Sequence, residues 1–335
     1  MRATVLTPKG VRYDLDDAGR PPRWPWVLGC VLVVTVLAGL AFTLRTRISQ
    51  ALPQRRSQAV AAPLAPAPDA ARMDPSSGSM TNSRARWPAA LDGEIRHQLD
   101  GAEAVFRADD LASARRRYLE LLERGNLGAA APMVEQRVGE ISMMLVLSPR
   151  PMPEKVEHVV ASGESLDRIA RQHGVTRELL IKSNDIRHPD RLQPGQHLLV
   201  LDKPLFSITV DLHANALRLL LNGKLLKRYE IGTGRRAETP AGLFVIRSRQ
   251  ERPVWWHPDG RTIPYGHKDN ILGTRWMSLQ ATGTTTVVKG YGIRGTWVDG
   301  EVGRVATGSG IRLHNPDVEE LFLMVPEGTP VRITE

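Results

Sequence analysis

Residues 286–333 read TVVKGYGIRGTWVDGEVGRVATGSGIRLHNPDVEELFLMVPEGTPVRI, and this stretch is the most informative about the C-terminal half of the chain. Upstream of it, from Pro204 onward, runs such as SITVDL, ALRLLL and GLFVIRSR alternate or cluster apolar residues between turns, which is typical of β-strands. Asn222 and Gly223 separate two of these runs and favour a tight hairpin. The sequence therefore predicts a mainly-β C-terminal domain over residues 204–335.

The quoted stretch resembles the C-terminal signature of the L,D-transpeptidase (YkuD-type) catalytic domain, in which a strand ending I-H-G-T precedes a loop of the form S-H-G-C-I-R. Residues 291–296, YGIRGT, match the first block, and residues 308–318, GSGIRLHNPDV, match the second. Further motifs of the family recur as IGTG at 231–234, TPAGLF at 239–244 and a cleft insertion at 255–279. The resemblance implies acyl transfer on peptidoglycan stem peptides, and it implies neither a cofactor nor a metal ion.

The two residues that carry the family's chemistry are replaced in this chain. The general-base His of the family falls on Arg294, and its nucleophilic Cys falls on Gly310. Arginine stays protonated at ordinary pH and glycine has no side chain, so neither residue can do the work of the one it replaces. Cys30, the single cysteine, lies far upstream, which leaves Ser309 as the candidate nucleophile and His314 as the nearest base. We therefore interpret the domain as catalytically degenerate.

By the same resemblance, six residues of this region would contact the stem peptide: Tyr291, Arg294, Gly295, Thr296, Arg312 and Trp276. Two interpretations of Arg294 stay open. Either it joins Arg312 in binding a carboxylate of the stem peptide, or it is a solvent-facing replacement without a role. An arginine buried in the vacated catalytic pocket would need an acidic partner.

A second module reads EHVVASGESLDRIARQHGVTRELLIKSNDIRHPDRLQPGQHLLVL over residues 157–201. Ser165 and Thr176 stand where helices would start and Gly174 where a helix would end, between two short apolar runs. The module, which we assign to residues 155–202, resembles a LysM domain, a βααβ fold that binds glycans containing N-acetylglucosamine. The resemblance places the glycan groove at Ser162, Gly163, Glu164, Ser165, Asn184 and Ile186.

Many residues of such a small module also serve to hold it together, and Asn184 fits that structural role as well. Four histidines of the module show no metal-ligand spacing, so surface exposure or local hydrogen bonding is the default for His158, His173, His188 and His197.

Apolar residues recur at three- and four-residue spacing between residues 88 and 147, which indicates helices. Phe106, Asp109, Ala114, Tyr118 and Leu121 fall where a tetratricopeptide-like hairpin has them. One helical pair is weak evidence for such an array, because stacked repeats are what stabilise it. The unit is therefore either a helical spacer or a surface that recruits a protein partner.

The N-terminal region predicts a single transmembrane helix at residues 24–44, WPWVLGCVLVVTVLAGLAFTL, which are uncharged over the length of about 20 residues that crosses a bilayer. Residues 1–23 then form a cytoplasmic tail, and residues 45–86, rich in Pro, Ala and Ser, form a spacer. Charges flanking the helix balance, so its orientation rests on the wall-binding domains. They predict a bacterial inner-membrane protein with its N-terminus inside and its bulk in the periplasm or cell-wall space.

The net charge of +9 comes with no nucleic-acid motif, so it favours an anionic envelope surface over DNA or RNA as the partner. The sequence thus predicts a multidomain, membrane-anchored and non-catalytic protein that binds the glycan strands and stem peptides of peptidoglycan. The alternative is an active L,D-transpeptidase that forms or trims cross-links through groups such as Ser309.

Overall fold

The computed structural model describes two short N-terminal strands and residues 87–88, 91–234, 240–257, 259–305 and 310–335. The chain divides into two compact units, Met1–Thr81 and Asn82–Glu335. In the first unit, strands β1 (Thr4–Leu6) and β2 (Arg12–Asp14) pair antiparallel. The membrane helix predicted at 24–44 and the spacer predicted at 45–86 lie outside the described residues. Among the helices that the structure describes, none has the length and hydropathy needed to cross a membrane.

The second unit begins with three helices and one 3₁₀ turn: α1 (Gly93–Arg107), α2 (Leu111–Arg124), the turn Gly128–Ala130 and α3 (Ala131–Val146). Helix α1 begins where the carboxylate of Asp92 accepts the N–H of Glu94 at 2.9 Å. Helix α2 ends at Gly125, whose φ of 71° is the left-handed geometry that glycine adopts readily. The apolar faces of the three helices form one core, which includes Leu99, Ala102, Ala114, Tyr118, Val138 and Ile141.

The LysM region has the βααβ order that the sequence predicts: β3 (Lys155–Val159), α4 (Leu166–His173), α5 (Arg177–Ser183) and β4 (His197–Leu201). Strands β3 and β4 pair antiparallel. The hydroxyl oxygen of Ser165 accepts the N–H of Arg168 at 3.3 Å, and that of Thr176 accepts the N–H of Leu179 at 3.0 Å. Both helices therefore start on the predicted caps.

The described residues of the C-terminal domain form ten strands and one helix: β5 (Phe206–Asp211), β6 (Ala216–Leu221), β7 (Lys224–Glu230), β8 (Gly242–Glu251), β9 (Trp255–Trp256), β10 (Thr262–Ile263), β11 (Arg275–Ala281), β12 (Gly292–Thr296), β13 (Ile311–His314), α6 (Asn315–Met324) and β14 (Pro330–Thr334). Eight strands form one sheet in the order β13-β12-β11-β8-β14-β5-β6-β7, and β9 pairs with β10 separately. The mainly-β prediction is confirmed.

Strands β12 and β13 lie at one edge of this sheet and run parallel. Parallel neighbours need a connection that crosses back to the starting end of the sheet. Here the connection is residues 297–310, which include the 3₁₀ turn Asp299–Glu301. The connection therefore brings Glu301 back over the side chains of these two strands.

At the other edge of the sheet, helix α3 packs against β7. Glu135 of α3 accepts a hydrogen bond from Nε of Arg218 at 2.7 Å and lies 3.4 Å from Nε of Arg228. Gly139 allows close approach, because a Cβ there would lie 3.0 Å from Cγ of Lys227. An edge strand covered by a helix is protected from pairing with other chains.

The LysM region packs on the end of α6. The buried hydroxyl of Thr176, which caps α5, donates to the backbone carbonyl of Leu323. This bond joins the LysM region directly to the domain that carries the YkuD-like motifs.

Candidate functional site

Arg294 and Arg312 lie side by side across the parallel pair β12 and β13. Their Cα atoms are register partners, and partnered residues of neighbouring strands point to the same face of a sheet. Both side chains are almost completely buried, with 3% of Arg294 and 1% of Arg312 exposed. A pair of guanidinium groups therefore lies inside the domain, at the position where the resemblance expects the histidine base.

Glu301 is the acidic partner of this arginine pair. Its Oε2 atom lies 3.3 Å from Nε of Arg312 and 3.9 Å from Nη2 of Arg294. The hydroxyl of Thr296 donates to the same oxygen at 2.8 Å. Arg294 is thus not a solvent-facing replacement. The carboxylate of Glu301 occupies the place beside the arginines where one interpretation of the sequence put a carboxylate of the stem peptide.

Backbone carbonyls hold the two guanidinium groups from their other sides. Nη1 of Arg294 donates to the carbonyl oxygens of Ile271 and Gly295, the latter at 3.1 Å. Nη1 of Arg312 donates to the carbonyl oxygen of Thr233 at 3.0 Å. Burial, and after it repulsion from Arg312, lowers the pKa of Arg294 to about 10, while the carboxylate of Glu301 opposes this shift. Arg294 stays protonated at neutral pH and cannot accept a proton.

Gly310, at the position of the family's nucleophile, precedes β13 with a φ of 102°, a value that L-residues with a side chain rarely adopt. A Cβ at this position would lie 3.1 Å from the carbonyl oxygen of Gly292. Ser309, the candidate nucleophile, lies outside the described residues. Nδ1 of His314, its candidate base, is 3.6 Å from the carboxylate of Asp299.

The other residues predicted to contact the stem peptide are buried or partly buried, so little of their surface is exposed to solvent. Tyr291, Gly295 and Thr296 are all buried in or next to β12. Trp276 of β11 is partly buried, and its ring covers Gly292, where a Cβ would come within 2.8 Å of it. The structure therefore brings the predicted residues together but exposes little of them.

Two residues of the site were missed by the sequence analysis. Glu301 was missed because residues 297–310 have no periodicity that would show which acid reaches the arginines. Asn315 was matched only as part of a motif, yet its Oδ1 accepts the N–H of Thr274 at 3.0 Å. The same oxygen would lie 2.2 Å from a Cβ at Gly295, so a glycine is required there.

In the LysM region, the predicted glycan loop is exposed at Ser162 and Gly163. The carboxylate of Glu164 is engaged inside the domain, where it accepts the N–H of Ala161 at 2.9 Å and contacts Nε2 of His158 at 3.0 Å. These two bonds, the Ala161 bond first, lower the pKa of Glu164. The carboxylate therefore fixes the shape of the loop, while Ser162 and Gly163 face the solvent.

Asn184 links α5 to β4. Its Nδ2 donates to the carbonyl oxygens of Leu180 and Leu199, both at 3.1 Å, and its Oδ1 accepts the N–H of Leu199 at 2.8 Å. Ile186 is partly buried and packs against the core. The structural role that the sequence analysis allowed for Asn184 is thus visible in its bonds.

Asn184→Ala is expected to lower the free energy of unfolding of the LysM region by about 2 kcal/mol, because it leaves the N–H of Leu199 without its acceptor. Hydrogen exchange of the Leu199 amide should accelerate strongly. Gln193→Ala, at an exposed residue of the same module, is the matched control and should leave exchange at Leu199 unchanged. Equal exchange rates in both variants would contradict the structural role of Asn184.

A cavity of about 370 Å³ lies between α3 and β7, at the opposite edge of the sheet from the arginine pair. It is lined by Pro132, Met133, Gln136, Glu140, Lys227 and Arg228. Throughout the described part of the chain, no three His, Cys, Asp or Glu side chains are grouped in a way that could hold a metal ion.

The profile of the L,D-transpeptidase catalytic domain matches residues 206–333, and that of the LysM domain matches residues 158–200. The chain is 32% identical over 181 residues to a Bacillus licheniformis protein named "Putative L,D-transpeptidase YkuD", covering 52% of this chain and 96% of that protein. It is 35% identical over 129 residues to the "Putative L,D-transpeptidase YqjB" of Bacillus subtilis, covering 38% of this chain and 70% of that protein.

Among solved structures, an L,D-transpeptidase from Mycobacterium smegmatis matches with 15% identity and a TM-score of 0.32, covering 42% of this chain. The match spans 64% of that protein, slightly less than two thirds of its length.

Proposed function

The chain belongs to the L,D-transpeptidase (YkuD) family, and we propose that it is a membrane-anchored peptidoglycan-binding protein whose transpeptidase domain no longer catalyses acyl transfer. The LysM domain binds the glycan strand. The C-terminal domain holds the stem peptide or regulates an active enzyme of the same family. The arginine pair bridged by Glu301 is the observation that carries this proposal.

Acyl transfer through a covalent intermediate needs a nucleophile and a base within hydrogen-bond reach of it. Arg294 is protonated, buried and bound by Glu301, so it cannot withdraw a proton from any neighbouring group. Gly310 has no side chain, and its φ of 102° disfavours one. The chain therefore lacks a base at Arg294 and a nucleophile at Gly310, and the loss of both groups supports the proposed loss of acyl transfer more strongly than the loss of one.

The proposed location is the bacterial inner membrane, with the N-terminus inside and the bulk of the chain in the periplasm or cell-wall space. The uncharged run at 24–44 supports the anchor, and the net charge of +9 suits an anionic envelope surface. A protein partner of the helical unit at 88–147 would use the faces of α1 and α2, or the cavity between α3 and β7.

The full-length protein in detergent is expected to leave a purified disaccharide-tetrapeptide unchanged, as measured by mass spectrometry after incubation. An authentic L,D-transpeptidase, run in parallel, supplies the positive control. The variant Gly310→Cys should stay inactive as well, because Arg294 cannot take the proton of the new thiol. The wild-type protein should nevertheless sediment with purified sacculi.

Cross-linked dimers, or loss of the terminal D-Ala, with the wild-type protein would overturn the proposed loss of chemistry. If Ser309→Ala abolished those products, Ser309 would be the nucleophile of an unusual active enzyme. Failure to sediment with sacculi would instead contradict wall binding, so the two parts of the proposal fail separately.

A further inference from the structure

Four titratable side chains form a continuous chain of contacts through the LysM domain. Nε2 of His158 lies 3.0 Å from the carboxylate of Glu164, and Nδ1 of His158 lies 3.1 Å from Nε2 of His173. Nδ1 of His173 lies 2.9 Å from the carboxylate of Asp202. The rings of this histidine pair, His158 and His173, meet edge to face with centroids 5.1 Å apart. All four ring nitrogens therefore have a partner within the chain.

The partners of the four ring nitrogens determine how many protons the two rings must carry. Ionised carboxylates only accept, so Nε2 of His158 and Nδ1 of His173 must each carry a proton to bond Glu164 and Asp202. With both rings neutral, the two remaining nitrogens would face each other as bare lone pairs at 3.1 Å. One further proton between them turns this repulsion into a hydrogen bond. The geometry is thus satisfied by three protons on four ring nitrogens, which gives the pair one positive charge.

The surroundings favour that single charge. The side chains of His158, His173 and Glu164 are 11%, 9% and 9% exposed, whereas that of Asp202 is 45% exposed. The hydrogen bond from Ala161 favours the ionised form of Glu164. A positive charge on the histidine pair would therefore lie between two carboxylates.

Further charged groups lie on the elements around the histidine pair. Arg168 of α4 interacts with Glu164. Lys203 follows Asp202 and donates its backbone N–H to the carbonyl of His173. Glu157 neighbours His158 on β3 and bonds His197 of β4. Successive residues of a strand face opposite sides of the sheet, so Glu157 and His197 lie on the face opposite to His158. Their side chains are 61% and 63% exposed.

We propose that the LysM domain stores one shared proton between His158 and His173, and that uptake of a second proton releases the Glu164 loop and weakens glycan binding. The proposal rests on the proposed function of the LysM domain as the glycan-binding module. Histidine is the side chain whose charge changes between about pH 5 and 8, so the test spans that range.

The effect of pH should differ between the acid and alkaline sides. A second added proton makes both facing nitrogens donors, and the rings must separate. Backbone bonds fix the main chain of both residues, His173 through the N–H of Lys203 and His158 through the pairing of β3 with β4. The movement therefore falls on the rings, and the ring of His158 transmits it to Glu164. Loss of the shared proton instead allows a tautomer change at His173, which breaks its bond to the half-exposed carboxylate of Asp202. The loop at Ser162 and Gly163 should therefore open on the acid side alone.

Two measurements test the proposal on the full-length protein in detergent. Long-range ¹H–¹⁵N spectra of histidine-labelled protein report the protonation of each ring nitrogen, independently of glycan. Calorimetry with an N-acetylglucosamine tetramer reports affinity, which should fall about tenfold between about pH 7 and pH 5, the effect of losing one charge-assisted bond. In His173→Gln the amide can donate or accept without titrating, so this loss should disappear. His197→Gln removes the exposed pair and should behave like the wild type.

Each outcome has a distinct meaning. Spectra in which both rings are neutral at pH 7 would overturn the shared proton. A protonated pair with constant glycan affinity down to pH 5, or an unchanged acid loss in His173→Gln, would overturn the coupling to the loop. Absence of glycan binding at every pH would overturn the proposed function of the LysM domain, while the spectra would still decide the shared proton.

Discussion

Glu301→Gln is expected to lower the free energy of unfolding of the C-terminal domain by about 2 kcal/mol, because two buried guanidinium groups lose the carboxylate between them. Removing one partner of a buried ion pair costs more than the pair contributes, since the remaining charge stays desolvated. Part of this cost is relieved by water, because the side chain of Glu301 is 26% exposed. Urea unfolding followed by tryptophan fluorescence measures the change.

Asp299→Asn is the matched control for this experiment. Asp299 belongs to the same 3₁₀ turn and carries the same kind of charge, but its side chain is 96% exposed and 3.6 Å from His314. Its unfolding curve should coincide with that of the wild type. If Glu301→Gln were as stable as the control, Glu301 would not be the acidic partner that the buried arginines require.

Gly232→Ala is expected to destabilise the C-terminal domain by about 3 kcal/mol, the upper part of the usual range for overpacking. A Cβ at this glycine would lie 1.8 Å from the carbonyl oxygen of Glu301 and 2.8 Å from its carbonyl carbon. These are backbone atoms, so rotation of a side chain cannot relieve the clash. Gly232 also exchanges two backbone hydrogen bonds with Arg312, at 2.9 and 2.8 Å, so any shift disturbs the arginine pair as well.

Gly101→Ala is the same substitution at a position where the structure gives it room. Gly101 lies inside α1, and the nearest neighbour of an added Cβ is Nη1 of Arg117, at 3.7 Å. An alanine in a helix interior stabilises by about 0.5–1 kcal/mol relative to glycine. Thermal unfolding should therefore shift in opposite directions in the two variants. A similar loss in both would show that the packing of Glu301 on Gly232 is not the cause.

The parts of the fold that depend on local sequence were predictable. Ser165, Thr176 and Gly174 mark the ends of the LysM helices as expected, because caps act through residues within one turn. Asn222 and Gly223 adopt φ values of 52° and 79°, the positive pair that a tight hairpin needs. The apolar run TVVKGYGI, residues 286–293, joins the sheet only at its end, because β12 starts at Gly292. Val287 is 79% exposed, ahead of a turn.

The contacts that decide the candidate site were not predictable, because they join residues far apart in the sequence. A buried arginine needs an acid beside it, yet nothing in the sequence distinguishes Glu301 from Asp299 on the same turn. His158 and His173 are on different elements, and their contact depends on how α4 lies against β3. Residues of the YkuD-like motif, by contrast, were found together because β12 and β13 are adjacent strands.

The bond from Thr176 to the carbonyl of Leu323 has a consequence for how the protein would recognise the cell wall. Two recognition sites carried on one rigid body cannot adjust their spacing to the ligand, as sites on a flexible linker can. Under the proposed function, the glycan loop and the surface of the C-terminal domain that holds the stem peptide would be kept at a fixed separation. Such a protein would gain avidity only where a glycan chain and a stem peptide are separated by the same distance as the two sites that bind them.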